Sequence, residues 1–380
     1  MDNIFIKREK NYIFLIVLSL YFLSIFNTSN AESSQDLPPS FVFGDSLVDV
    51  GNNNYIFSLS KANFPPNGID FGMPTGRYTN GRTIPDIIGQ ELGQKKFSPP
   101  YLAPSTKGTA ILQGVNYGSG GGGILNATGQ IFIGRLNLDA QLDNFANTKE
   151  DLITNIGEEA ANKLIAKGLY SMVMGSNDFI NNYLTPVVSR AEQALVSPQT
   201  FVNALISRFR VQLLRLYDMG ARKIIVVNVG PIGCIPYQRD LNPSAGDNCV
   251  ALPNELAQLF NIQLKSLVTE LNNELQGSQF VYADVYRAVS DIILNYTSYG
   301  FENADSACCR FSGRHGGLVP CNQASKVCSD RSKYVFWDPY HPTDAANVII
   351  AKRLTDGDSS FVSPINIRQL AFPNSTPSFN

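Results

Sequence analysis

Residues 200–229, TFVNALISRFRVQLLRLYDMGARKIIVVNV, state the fold's pattern once in full. Phe201, Leu205, Phe209, Leu213 and Leu216 recur every three to four positions, which places them on one face of a helix over 200–219, and Gly220 stops it. Residues 224–229 then form a short apolar run without charge, the pattern of a strand buried on both faces. Working outward, similar strand-like runs occupy 41–43, 169–174 and 280–285. A second helical pattern covers 255–275 through Leu256, Leu259, Leu264, Leu267 and Leu271, and a third covers 343–354 directly after Pro342. Strand–helix alternation predicts an α/β fold: a mostly parallel sheet with helices on both faces. Residues 52–104, rich in Gly, Pro and Asn, are expected to run as loops over the carboxyl end of that sheet. With no internal repeat and no long linker, one domain is expected.

The chain has 380 residues, 30 Lys+Arg against 32 Asp+Glu, and 2 histidines. A net charge of −2 lacks the basic footprint of a nucleic-acid binder. At 44% hydrophobic and 16% charged, the chain is globular in composition. Two histidines exclude an all-histidine zinc site, and any imidazole base must be His315 or His341.

Lys7, Arg8 and Lys10 precede an apolar run at 12–26, and Ser29-Asn30-Ala31 sets small residues at a cleavage site. Residues 1–31 therefore read as a signal peptide, with 32–380 as the mature chain and an ordered core over about 40–355. The run is short for a retained membrane anchor, which needs about 20 residues. No later segment reads as a span, so a secreted, extracellular protein is expected. The six cysteines agree with an oxidising compartment: Cys234 is expected to pair with Cys249, and Cys308 and Cys309 with Cys321 and Cys328. Asn126, Asn295 and Asn374 begin glycosylation sequons, the last followed by Pro377.

Four loops carry residues suited to chemistry at the strand ends, where open α/β sheets place their ligands. Gly44-Asp45-Ser46-Leu47 follows the first strand, and a serine there can present both its hydroxyl and its N–H. Alone it equally suits a helix cap, and Val48 breaks the G-x-S-x-G elbow. Residues 116–123, NYGSGGGG, allow backbone N–H groups to approach a ligand closely, and no following Lys-Ser or Lys-Thr makes them a phosphate loop. Gly175-Ser176-Asn177-Asp178 offers an amide to an oxyanion, although Asn-Asp is also ordinary turn chemistry. In Trp337-Asp338-Pro339-Tyr340-His341-Pro342, a carboxylate three residues before a histidine can hold Nδ1–H and leave Nε2 to take a proton. His315, in Arg314-His315-Gly316-Gly317, has no such neighbour and reads as a solvated loop residue.

Together, FVFGDSLVDVGNNN, NYGSGGGGI, GSNDFINNY and FWDPYHPTDAAN, in that order, resemble the plant branch of the GDSL esterase/lipase family in the SGNH hydrolase superfamily. The resemblance covers about 41–354. It implies a three-layer α/β/α sandwich with a flavodoxin-like sheet, ester hydrolysis, and neither metal nor organic cofactor. It also implies Ser46 as nucleophile, His341 as base and Asp338 as its partner. The oxyanion donors would be Ser46 N–H, Asn177 and a glycine matching Gly121, with Gly120 the alternative. Gly118 departs from the family's more usual alanine. Acyl lipids, phenolic esters and acetylated polysaccharides are all compatible substrates. An acyltransferase using the same acyl-enzyme, and a non-catalytic cell-wall binder, are the alternative functions.

Overall fold

A five-stranded sheet forms the centre of the structure, a computed structural model that describes residues 37–185 and 196–373. The described residues fall within one unit, Leu37–Asn380. The expected signal peptide and Asn374 lie outside the described residues. Strands β1 (Ser40–Gly44), β2 (Leu169–Val173), β3 (Lys223–Val227) and β4 (Gln279–Ala283) lie parallel in that order. After the first residue, β1, β3 and β4 are buried throughout, which is why they read as unbroken apolar runs rather than alternating ones. Two small ribbons follow: β5 (Asn303–Ala307) parallel to β8 (Tyr334–Phe336), and β6 (Cys309–Arg310) antiparallel to β7 (Lys326–Val327). Finally β9 (Val362–Ser363) runs antiparallel to β4 at the sheet edge.

The free side of β1 is met by residues 115–117. Val42 N–H donates to the Val115 carbonyl at 3.0 Å, and Tyr117 N–H donates to the Val42 carbonyl at 2.7 Å, in parallel register. Counting this segment, the chain visits one side of β1 and then returns to the other. That is the flavodoxin-like order, and its direction changes at β1, where such folds open a crevice.

Helices cover both faces. On one side, α2 (Leu138–Ile156), α4 (Pro198–Asp218) and α5 (Ala251–Glu274) pack on the sheet, with α3 (Glu158–Lys167) beside α2. Phe41, Phe43, Tyr117, Phe145 and Tyr170 form an aromatic cluster there, with Phe41 5.1 Å from Tyr170 and 5.4 Å from Phe145 between ring centres. Burial of each such ring contributes on the order of 2 kcal/mol. The opposite layer holds α1 (Ile84–Glu91), α6 (Val285–Leu294), α7 (Asp344–Asp356) and α8 (Ile367–Ala371). Thr83, Ser197 and Thr343 cap α1, α4 and α7 by accepting a backbone N–H of the first turn, and Gly220 follows α4 at φ +111°.

Two differences from expectation stand out. Residues 52–104 are not loops throughout, since α1 belongs to the second helical layer. The fold also runs past residue 355, through β9 and α8, elements too short to show a period. The disulfides follow the expected grouping, as Cys234–Cys249, Cys308–Cys328 and Cys309–Cys321, the last nested inside the second. Among the described residues no helix is long and apolar enough to cross a membrane.

Candidate active site

Gly44 ends β1 where a side chain would not fit: an added Cβ would lie 2.5 Å from both the Val173 carbonyl and Val48 Cγ2. The chain turns sharply there, with Val48 and Asp49 N–H donating to the Asp45 carbonyl and Leu47 N–H to Asp45 Oδ1. Ser46 sits at the apex, half-buried, and its own N–H makes no hydrogen bond among the described residues. Its Oγ lies 2.7 Å from His341 Nε2.

Nδ1 of His341 is 2.8 Å from both carboxylate oxygens of Asp338. Asp338 Oδ1 also accepts from the backbone N–H groups of Tyr340 and His341, each at 2.8 Å, so the carboxylate is held from two directions. The loop is braced behind: Trp337 N–H donates to the His341 carbonyl, and Cys309 N–H to the Trp337 carbonyl. Trp337 is fully buried with Cys308, Cys309 and Cys321, and its indole N–H donates to Asn67. Two disulfides therefore stiffen the strand that delivers Asp338.

The glycine segment approaches from the other side. Asp49 accepts from Gly51, Asn52 and Gly120 N–H at 2.7, 2.7 and 3.0 Å, while Ser119 N–H donates to the Gly44 carbonyl. Gly120 N–H is thus committed. Gly121, at φ +84°, lines the cavity in front of Ser46, and its N–H has no bond among the described residues. Of the two glycines, Gly121 is the one free to donate. Asn177 projects from a turn just after β2; its Nδ2 donates to the Gly122 carbonyl at 2.9 Å, and its Oδ1 accepts from Asn181. That orientation leaves one Nδ2–H for another acceptor. The cavity, about 230 Å³, has Ser46, Gly121, Asn177, Asp338 and His341 among its walls.

Two carboxylates, Asp49 and Asp178, hold parts that the sequence does not assign them. Asp49 organises the glycine segment as described. Asp178 accepts from Ile124 N–H, Leu125 N–H and the Thr128 hydroxyl at 2.9, 3.0 and 2.6 Å, tying the same segment to the Asn177 turn. Burial pushes the carboxyl of Asp45 up to about 7 and those of Asp49 and Asp178 up to about 6, against the hydrogen bonds that lower them.

His315 corrects an expectation. It is 4% exposed rather than solvated, because its backbone N–H is drawn to Asp240 and the disulfide-closed loops pack around it. Its Nδ1 has no hydrogen-bond partner, and Asp305 Oδ2 stands 3.8 Å away. It takes no part in the Ser46 cluster. Asn126 and Asn295 are both exposed.

Residues 41–354 match the family described as GDSL-like Lipase/Acylhydrolase. The chain belongs to that family. Similar proteins include the Arabidopsis thaliana GDSL esterase/lipase At4g16230, 61% identical over 94% of this chain and 96% of that relative. GDSL esterase/lipase At3g50400, from the same plant, is 52% identical over 95% of this chain and 99% of its own length. This GDSL-family chain is accordingly a carboxylic ester hydrolase with an α/β fold, as the four sequence blocks imply.

Proposed function

We propose that this enzyme cleaves esters through Ser46 as nucleophile, His341 as general base and Asp338 as the group that orients it. The observation that carries the reading is the chain of short contacts, Ser46 Oγ to His341 Nε2 at 2.7 Å and His341 Nδ1 to Asp338 at 2.8 Å. Asp338 holds the proton on Nδ1, so the Nε2 lone pair faces the serine hydroxyl. His341 takes that proton as Oγ bonds to the ester carbonyl carbon. The resulting oxyanion accepts from Ser46 N–H, Gly121 N–H and Asn177 Nδ2–H. Collapse breaks the C–O bond to the alcohol, and the imidazolium returns its proton to that leaving oxygen. Water, deprotonated by His341, then attacks the acyl-serine, and the carboxylic acid departs as Ser46 recovers its proton.

The enzyme acts after secretion, once residues 1–31 have been removed. Support comes from the basic-then-apolar start of the chain, the three disulfides and the exposed sequon residues Asn126 and Asn295.

Hydrolysis of 4-nitrophenyl acetate by Ser46→Ala tests the mechanism. The expected result is turnover near background with an unchanged circular dichroism spectrum. A variant as fast as the parent rejects Ser46 as nucleophile.

A further inference from the structure

Gly44, two residues before Ser46, is where β1 parts from its neighbour. The segment beside β1 supplies three rungs: Val42 N–H to the Val115 carbonyl, Tyr117 N–H to the Val42 carbonyl, and Ser119 N–H to the Gly44 carbonyl. A parallel ladder alternates in this way, so the rung between the last two would join Gly44 N–H to the Tyr117 carbonyl. That rung is not made among the described residues. Gly44 N–H donates instead to Gln141 Oε1 at 2.9 Å, and Gln141 Nε2 donates to the Gly44 carbonyl at 2.8 Å. A side-chain amide stands where a strand would continue, and the glycine segment leaves β1 there.

Gln141 lies in the first turn of α2 and is fully buried. The same helix start holds the glycine segment. Asn137 Oδ1 accepts from Gly123 N–H at 2.9 Å, and Leu138 N–H donates to the Gly123 carbonyl at 3.0 Å. The second Gln141 Nε2 hydrogen goes to the Leu136 carbonyl at 2.7 Å. Gly122 passes so near that an added Cβ would lie 2.7 Å from the Leu136 carbonyl oxygen and 3.5 Å from Gln141 Nε2. One helical turn therefore grips the chain two residues before Ser46 and two residues after Gly121. The grip needs a particular group. Gly44 offers a donor and an acceptor side by side, and among side chains uncharged at neutral pH only a carboxamide answers with an acceptor and two donors.

We propose that Gln141 is a positioning residue for ester cleavage: by tying Gly44 to the start of α2, it fixes the separation between the Ser46 hydroxyl and the Gly121 N–H. The proposal rests on Ser46 as nucleophile and Gly121 as an oxyanion donor. Gln141 is not among the walls of the cavity, so it acts only through the two segments it holds. A displacement of about 1 Å between such groups costs on the order of 100-fold in rate.

The test compares Gln141→Met, which keeps the bulk without the amide, with Asn272→Leu. Asn272 makes the same pair of bonds to Phe280, Nδ2 to its carbonyl and Oδ1 from its N–H, each at 2.8 Å, near the amino end of β4. With 4-nitrophenyl acetate, Gln141→Met should lower kcat on the order of 10- to 100-fold and leave KM little changed. Inhibition by phenylboronic acid, whose tetrahedral serine adduct needs the same donors, should weaken by a similar factor. Asn272→Leu should lower Tm and leave both kinetic values unchanged. Gln141→Glu still reports if Gln141→Met fails to fold. Burial keeps such a carboxyl protonated above its usual range, and the protonated form offers Gly44 a donor and an acceptor, whereas the ionised form cannot donate. Its kcat should therefore match the parent's at pH 6 and fall below it by pH 9, with circular dichroism unchanged. Parent-like kcat in Gln141→Met, an equal kcat loss in Asn272→Leu, a pH-independent ratio of Gln141→Glu to parent, or failure of both Gln141 variants to fold would overturn the positioning role. Ser46→Ala separates the two readings. If it is inactive while Gln141→Met is as fast as the parent, the positioning role alone fails; if Ser46→Ala is itself as fast as the parent, the nucleophile assignment fails.

Discussion

In the proposed mechanism Asn177 and Asp338 act on different steps, and substituting each has its own signature. Asn177→Ala removes one of three oxyanion donors and should lower kcat by on the order of 100- to 1,000-fold, with KM for a small activated ester little changed. Asp338→Asn can turn its amide toward Nδ1 and hold the proton on the wrong nitrogen, so kcat should fall on the order of 10,000-fold in a folded protein. Steady-state kinetics alongside circular dichroism checks both, and a loss carried by KM alone would contradict these roles. These residues were legible because their chemistry is written locally: Asp338 and His341 share one proline-bounded loop, and Ser46 follows an unmistakable strand. The burial of His315 was not, since it depends on Asp240, 75 positions away. Nor does any local pattern separate Gly121 from Gly120; the partner of Gly120, Asp49, lies 71 positions earlier.

Among elements, the loop 131–134 carries the clearest strain. Ile133 is β-branched yet sits at φ +66° and is 56% exposed, so its side chain gains little from burial. Ile133→Gly should therefore stabilise the fold by roughly 1 kcal/mol, the relieved strain exceeding the added freedom of the unfolded chain. Thermal unfolding would show it, and a lowered Tm would contradict it. The nested disulfides act in the opposite sense. Replacing Cys309 and Cys321 together with serine should cost about 2–5 kcal/mol and reduce kcat, because the β6 backbone that holds Trp337 would lose its brace. At this scale, amphipathic helices were legible from periodicity. Residues 115–117 and β9 were not, because two or three residues become strand only through partners distant in sequence, Val42 for one and Tyr282 for the other.

For the molecule as a whole, three buried carboxyls govern stability against pH. Asp45, Asp49 and Asp178 hold protons in the native state up to about 7, 6 and 6, whereas the unfolded chain releases them near 3.8. Between those limits unfolding releases protons, so stability falls as pH rises from about 4 toward 7 and then levels, at up to about 1.4 kcal/mol per pH unit for each proton. Asp45→Asn keeps an acceptor for Leu47 N–H and removes one titrating group, so its urea-unfolding free energy should decline less steeply from pH 5 to 7. A slope equal to the parent's would argue that Asp45 ionises normally. One consequence reaches beyond equilibrium. The hydroxyl and the imidazole that meet at 2.7 Å are separated by 295 positions, and the later of them follows almost every other element of the chain. Under the proposed mechanism, a polypeptide still leaving the ribosome carries its serine unarmed, and becomes able to attack an ester only when nearly all of it has been made and folded. Synthesis order itself works as a safety catch.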